Sequence, residues 1–245
     1  MDDLVMTDGQ CRHNICYAIG LHPTEYTPPL CGCGDSLTVE HAVTCGHLER
    51  VRTHNEVQNT LLRFAKDQGV PCDSTPAKII IIDDKPDAKP VKVKKIPDLV
   101  LYFPHGPVAW GDVMITNAAN RSTLLEACSQ PGYAAQKAQD SKHKRYDACA
   151  ATEGATVLGL AFESQGRFSA DVHVLLRRLA SANSSPHGWS VSEMTIELSM
   201  AFAKFRANRA ARIYTRARRA HALARRGPHN NARWMGAEQM PELPT

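Results

Sequence analysis

The stretch IPDLVLYFPHGPVAWGDVMI, residues 96–115, constrains the fold of this chain more than any other. Two apolar runs flank PHGP, and such a breaker cluster between strand-like runs reads as a hairpin turn. A three-residue loop, Pro104-His105-Gly106, suits a type I turn followed by glycine in the left-handed region. Facing residue numbers then sum to 210, so Phe103 meets Pro107 and Asp98 meets Asp112. The two acids share one face, with β-carbons about 5 Å apart. A four-residue loop would shift the register by one and send them to opposite faces.

Two carboxylates in an apolar run are costly to bury without partners. Brought together, they repel, and the proton affinity of one rises unless a cation sits between them. Hard oxygen donors of this kind suit Mg²⁺ or Mn²⁺. The plainer reading makes Asp98 a strand-start residue after Pro97, and Asp112 a bulge residue after Gly111.

The rest of the chain supplies an α/β frame. Residues 1–30 form a weakly patterned N-terminal extension ending in HPTEYTPP. Val57, Leu61, Leu62, Phe64 and Ala65 recur at helical spacing, which predicts a helix over 54–69. A β-branched strand follows at 79–82, then the polar loop DDKPDAKP and the hairpin. Helices are expected at 133–151, 169–182 and 190–226, with a strand at 155–162. The order of helices and strands argues for an α/β core over 54–185, a helical region over 186–227, and a loose tail over 228–245. No apolar run approaches the length needed to span a membrane, so no membrane partner is expected, and the chain reads as intracellular.

Two further features carry chemistry. Between residues 31 and 53, Cys31, Cys33, His41 and Cys45 supply four ligands of the types that bind structural Zn²⁺ tetrahedrally. His47 is a possible substitute for His41 or Cys45. At the other end, residues 201–226 carry Lys204 and eight arginines without an acid. That segment holds +9 of a net +4, leaving −5 for the rest of the chain. Arg206, Arg209, Arg212, Arg216 and Arg219 step by three and four, as one stripe along a helix. Such a stripe fits a phosphate backbone; a solvated helix face and an acidic protein partner are the alternatives.

Pro97-Asp98 followed by Asp112 resembles the metal-binding half of the PD-(D/E)xK nuclease motif. That family places a lysine two residues after the second acid, where this chain has Met114. Some members take the lysine from the next helix, which here reads YAAQKAQDSKHKRY and contains Lys137, Lys142, Lys144, Arg145 and Tyr146. The whole order is similar to the restriction-like endonuclease of site-specific non-LTR retrotransposons. It runs from the Cys/Cys/His/Cys knuckle through Thr53-His54-Asn55, the two aspartates and Lys142-Arg145-Tyr146 to Phe162-Glu163-Ser164-Gln165-Gly166. The likeness covers about residues 15–185. The knuckle begins C-x-C rather than C-x-x-C, and the family's Arg-His-Asn is Thr-His-Asn.

The resemblance implies a mixed sheet with a central hairpin flanked by helices, and a metal-dependent DNA endonuclease. Asp98 and Asp112 would hold Mg²⁺ or Mn²⁺, with Val113 offering its carbonyl as a third ligand. Lys142 would act on the attacking water, with Lys144 as runner-up, and Tyr146 and Arg145 would meet phosphates. Glu56 and Glu163 are lesser candidates, read first as a helix-start and a strand-end residue. The implied partners are DNA and element RNA, with a nuclear location; a reverse transcriptase domain is also implied by the family and is not read in these residues. The alternative is a decayed or domesticated copy that binds nucleic acid through its knuckle and arginine helix.

Overall fold

The computed structural model describes residues 5–18, 21, 30–45, 50–74, 79–83, 91–95, 97–120, 122–182 and 188–225. Expectations that fall on His47, on the loop at 84–90 and on the tail at 228–245 lie outside them. The chain divides into two compact units, the first drawn chiefly from residues 48–206 and the second from 7–47 and 207 onward.

In the first unit a four-stranded mixed sheet carries the core. Its strands are β1 (Cys72–Asp73), β4 (Leu99–Leu101), β5 (Val108–Thr116) and β6 (Ala155–Glu163), side by side in that order. β2 (Ile79–Asp83) and β3 (Val91–Lys95) form a separate antiparallel ribbon, and β3 has no counterpart in the sequence reading. β4 and β5 run antiparallel with Leu99 opposite Gly111 and Leu101 opposite Ala109, so facing numbers sum to 210. Gly106 adopts φ +95°, as the loop chemistry demands. The ladder nevertheless stops at Leu101, short of the expected Phe103–Pro107 pair. Arg178 explains why: it lies 4.0 Å from the Phe103 ring centre and donates to the Pro107 carbonyl at 2.9 Å. It holds the loop without strand pairing.

Gly111 does not mark a bulge, because the β5 ladders pass through it unbroken. A β-carbon there would meet Leu160 Cδ1 at 2.9 Å and Leu99 Cδ1 at 3.0 Å. Close packing of the neighbouring strands is what glycine permits.

Helix α3 (Arg50–Asp67) begins four residues earlier than the apolar spacing indicates, and it buries Val57, Leu61, Phe64 and Ala65. α6 (Ala170–Ala182) buries Val172, Leu175, Leu176 and Leu179. These side chains join Leu99, Leu160, Phe162, Met194 and Leu198 in one core. α5 (Tyr133–Thr152) follows Pro131-Gly132 as expected, with Gly132 at φ +88°. The short α4 (Leu124–Ser129) was not legible from spacing.

The second unit contains α1 (Asp8–Ala18), α2 (Val39–Thr44) and the C-terminal part of α7 (Val191–Arg225). Thr38 caps α2 by accepting the His41 N–H at 3.0 Å. The extension read as weakly patterned therefore holds a helix. No described helix is long and apolar enough to cross a membrane.

Candidate functional site

The hairpin register delivers Asp112 from the middle of β5 and Asp98 from the residue before β4. Asp112 is 5% exposed. Asp98 Oδ2 accepts the Val113 N–H at 2.7 Å, and Gln58 Nε2 donates to the Asp98 carbonyl at 2.6 Å. Val113 thus enters this site through its amide N–H, which fastens Asp98 beside Asp112.

α5 brings its side chains from across the sheet. Gly159 on β6 sits in register with Asp112, and a β-carbon there would lie 2.9 Å from the Gln139 carbonyl of α5. The missing side chain lets α5 approach the sheet closely. Lys142 then forms an ion pair with Asp112 Oδ2, and Tyr146 donates its hydroxyl to Asp112 Oδ1 at 3.2 Å. Lys142 and Tyr146, one helical turn apart, converge as their spacing requires. Burial, then the Asp112 charge, pushes the Tyr146 hydroxyl up to about 12, so it stays a neutral donor. Burial raises the Asp112 carboxyl above its ordinary range and Asp98 adds to the rise, while Lys142 and Tyr146 oppose it.

The neighbouring expected residues divide clearly. Lys144 is exposed. Arg145 lies over the Tyr146 ring, 5.2 Å from its centre. Lys137 donates to the Ser122 carbonyl at 3.1 Å. Glu163 accepts the N–H groups of Ala134 and Ala135 at 3.1 and 3.3 Å, which fixes the start of α5. Glu56 pairs with Arg52 at 3.3 Å along α3.

One member of the site escaped the candidate residues. His54 Nε2 lies 2.9 Å from Asp98 Oδ2. The hydrogen bond to Asp98 raises the His54 pKa above its ordinary value, against the effect of burial. His54 and Gln58 stand one turn apart on α3 and both reach Asp98. Two signals were available: the place of His54 in Thr53-His54-Asn55, and its i, i+4 pairing with Gln58 on an otherwise core-facing helix.

A second arrangement lies beside the first. His143 on α5 places Nδ1 2.9 Å from Asp147 Oδ1 and Nε2 2.7 Å from Asp171 Oδ2. Asp171 Oδ2 also accepts the Gly159 N–H at 2.8 Å, and Gln139 Oε1 accepts the Asp171 N–H at 3.0 Å. This network ties α5 to β6 and α6 at the level of Asp112.

In the second unit, Cys31, Cys33, His41 and Cys45 bring one ligand atom each to within 4.8 Å of one another. Cys45 Sγ lies 3.8 Å from Cys31 Sγ and 3.9 Å from Cys33 Sγ; His41 Nε2 lies 3.3 Å from Cys33 Sγ. Thiolates about 2.3 Å from a tetrahedral zinc stand about 3.8 Å apart, so the group can hold a zinc ion. Burial pushes the Cys31 thiol up to about 11, with the adjoining sulfurs adding to the rise. A bound cation would relieve that crowding. None of the eight cysteines is joined in a disulfide.

The arginine stripe does not face one way. Arg206 donates to the Gln165 carbonyl at 3.4 Å, and Arg209, 6% exposed, donates to the Cys45 carbonyl. Arg212 is half-buried, whereas Arg216 and Arg219 are exposed. No family model matches this chain, and no curated protein matches it.

Proposed function

We propose that the first unit is a metal-dependent DNA endonuclease of the PD-(D/E)xK type, like the restriction-like endonuclease of non-LTR retrotransposons. The observation that carries this reading is the meeting of Asp98 and Asp112 with Lys142 and Tyr146 at one point, from two strands and a separate helix. A lysine from α5 takes the place that Met114 leaves vacant in the motif.

Asp98 and Asp112 would hold Mg²⁺ or Mn²⁺, and the donor set fits, since both are hard carboxylates and Asp112 is buried against a like charge. Such an ion supplies charge neutralisation on the phosphate and a more acidic water. Lys142 offers its ammonium to the oxygens that gain charge during attack. Tyr146 orients Asp112 through its hydroxyl. His54, together with the Val113 N–H, fixes the rotamer of Asp98. The product would be a nick whose 3′ end primes reverse transcription by another domain of the element, in the nucleus.

Nicking of supercoiled plasmid with Mg²⁺ or Mn²⁺ tests the reading. Asp112→Ala and Lys142→Ala are each expected to lower the rate by about 10²-fold or more. Activity should also fall as pH drops through the raised pKa of Asp112, because the proton and the metal compete for that carboxylate. Equal nicking by wild type and Asp112→Ala would remove the reading. The competing reading, a silent nucleic-acid-binding descendant, draws on Met114 and on the internal donors that already occupy Asp98 and Asp112. DNA binding without metal-dependent nicking would favour it.

A further inference from the structure

The second unit joins its zinc-ligand group directly to the basic helix. Ala210, Ile213, Tyr214 and Ala217 of α7 recur at helical spacing and are buried with Cys31, Leu37, Ala42 and Cys45 in one small core. Cys31 and Cys45 of that core belong to the group that can hold zinc. α1 adds to the same body, since Gln10 Nε2 donates to Asn208 Oδ1 at 3.1 Å and the His13 ring lies 6.4 Å from that of Tyr214. The most direct link is Arg209. Its guanidinium is buried and donates to the carbonyl of Cys45, a residue whose sulfur belongs to the zinc group.

This arrangement sorts the arginines by role. Arg209 is a strut between helix and knuckle, so its charge is spent inside the unit. Arg212, Arg216 and Arg219 follow at spacings of four and three, which puts them on one side of the helix, although Arg212 is half-buried with its Nη2 inside. Arg216 and Arg219 are exposed, and Arg218 lies exposed on the flank. From Ala207 to Arg225 the chain has six arginines and no acid.

We propose that this outward face, centred on Arg216 and Arg219, binds the phosphodiester backbone of a nucleic acid, and that it depends on zinc bound by the knuckle. The reasoning is physical at both steps. Arginine presents a planar fork that matches phosphate, and here every cation on the face is arginine. Cys31 and Cys45 belong both to the surface on which α7 packs and to the ligand group, so a metal held there ties that surface together and its loss loosens the helix. Zinc loss frees the Cys45 carbonyl and with it Arg209, so the helix loses its buried side and its basic face loses its order. This assignment is independent of cleavage at Asp112.

Fluorescence anisotropy with a labelled DNA duplex and the full zinc-loaded chain tests it. Arg216→Ala/Arg219→Ala should retain zinc in full, bind about tenfold or more weakly at low salt, and reduce the log–log salt slope by about 2, as loss of two phosphate contacts requires. Removing zinc with a chelator should weaken binding by at least as much, and added zinc should restore it. Arg209→Met should release zinc faster than wild type does. Unchanged DNA binding in the double variant overturns the assigned face. Unchanged binding after zinc removal overturns the dependence on metal. Displacement of DNA by polyglutamate at equal charge concentration overturns the nucleic-acid assignment in favour of an acidic protein. The same anisotropy measured on wild type without added Mg²⁺ or Mn²⁺ separates these outcomes from failure of the nuclease reading: cleavage requires that metal, and binding at the arginine face does not.

Discussion

His143 is adjacent to Lys142 in sequence yet is committed to a different task. Burial lowers its pKa, but hydrogen bonds to Asp147 on its own helix and Asp171 on α6 outweigh that, and the net shift is upward. A raised histidine pKa means that the folded protein favours the protonated ring. The stabilisation is fully present below the ordinary value of 6.5 and is lost as pH rises through the higher folded value. His143→Gln removes the charge and keeps one hydrogen bond. Urea unfolding of wild type and His143→Gln should therefore show a stability gap that is larger at pH 5.5 than at pH 9. A gap of the same size at both values would mean that the imidazole acts only by packing. The same logic makes His143 a positioning residue, since the network it shares with Asp171 sits at the level where Lys142 meets Asp112.

At the scale of elements, the decisive contact is α5 against β6. Gly159→Ala would put a β-carbon 2.9 Å from the Gln139 carbonyl and 3.0 Å from its Cα, both of them backbone atoms that cannot rotate away. The helix has to lift, and overpacking of this kind costs about 1–3 kcal/mol. Chemical denaturation should show that loss, and plasmid nicking should fall further than stability does, because Lys142 and Tyr146 move with the helix. A variant that is destabilised yet nicks normally would separate the helix from the chemistry. The sequence made the hairpin register legible, because one glycine-bearing turn sets every pair that follows it: Leu99 opposite Gly111 is the register that PHGP requires. Lys142 and Tyr146 entered through the resemblance to the nuclease family, and their i, i+4 spacing says only that both can face one site. His54 was named only as the centre of Thr53-His54-Asn55 in the resemblance and given no role, because its contact with Asp98 depends on how α3 packs beside β4. The split of the arginine stripe was likewise hidden. Spacing by three and four says which residues share a side, but only the packing of Ala210, Ile213, Tyr214 and Ala217 says which side is inward. The ribbon strand β3, VKVKK, alternates over only five residues and gave too short a signal.

At the scale of the molecule, the two units differ in what can hold them. Among the described residues the first has a principal core of 19 buried side chains, large ones such as Phe64, Phe162 and Leu160 among them. Among the described residues the second has eight, three of them alanines and two cysteines, with Tyr17 packed against them. At about 0.8 kcal/mol per buried CH₂, alanines and cysteines contribute little each against the entropy of ordering three helical segments. A zinc ion bound to Cys31, Cys33, His41 and Cys45 would supply the difference, because its binding free energy becomes folding free energy for the segment that carries the ligands. Hydrogen exchange on the full chain gives the test. Chelation should strip protection from amides of α1, α2 and residues 207–225, while amides of β4, β5 and β6 keep theirs. Cys31→Ser should reproduce the pattern without a chelator. Simultaneous loss of protection in both units would make them one cooperative body, and no loss in either would make the metal dispensable. The expected result, loss confined to the second unit, would establish zinc as the support of the helix that presents Arg216 and Arg219, with the carboxylate site held by its own apolar core.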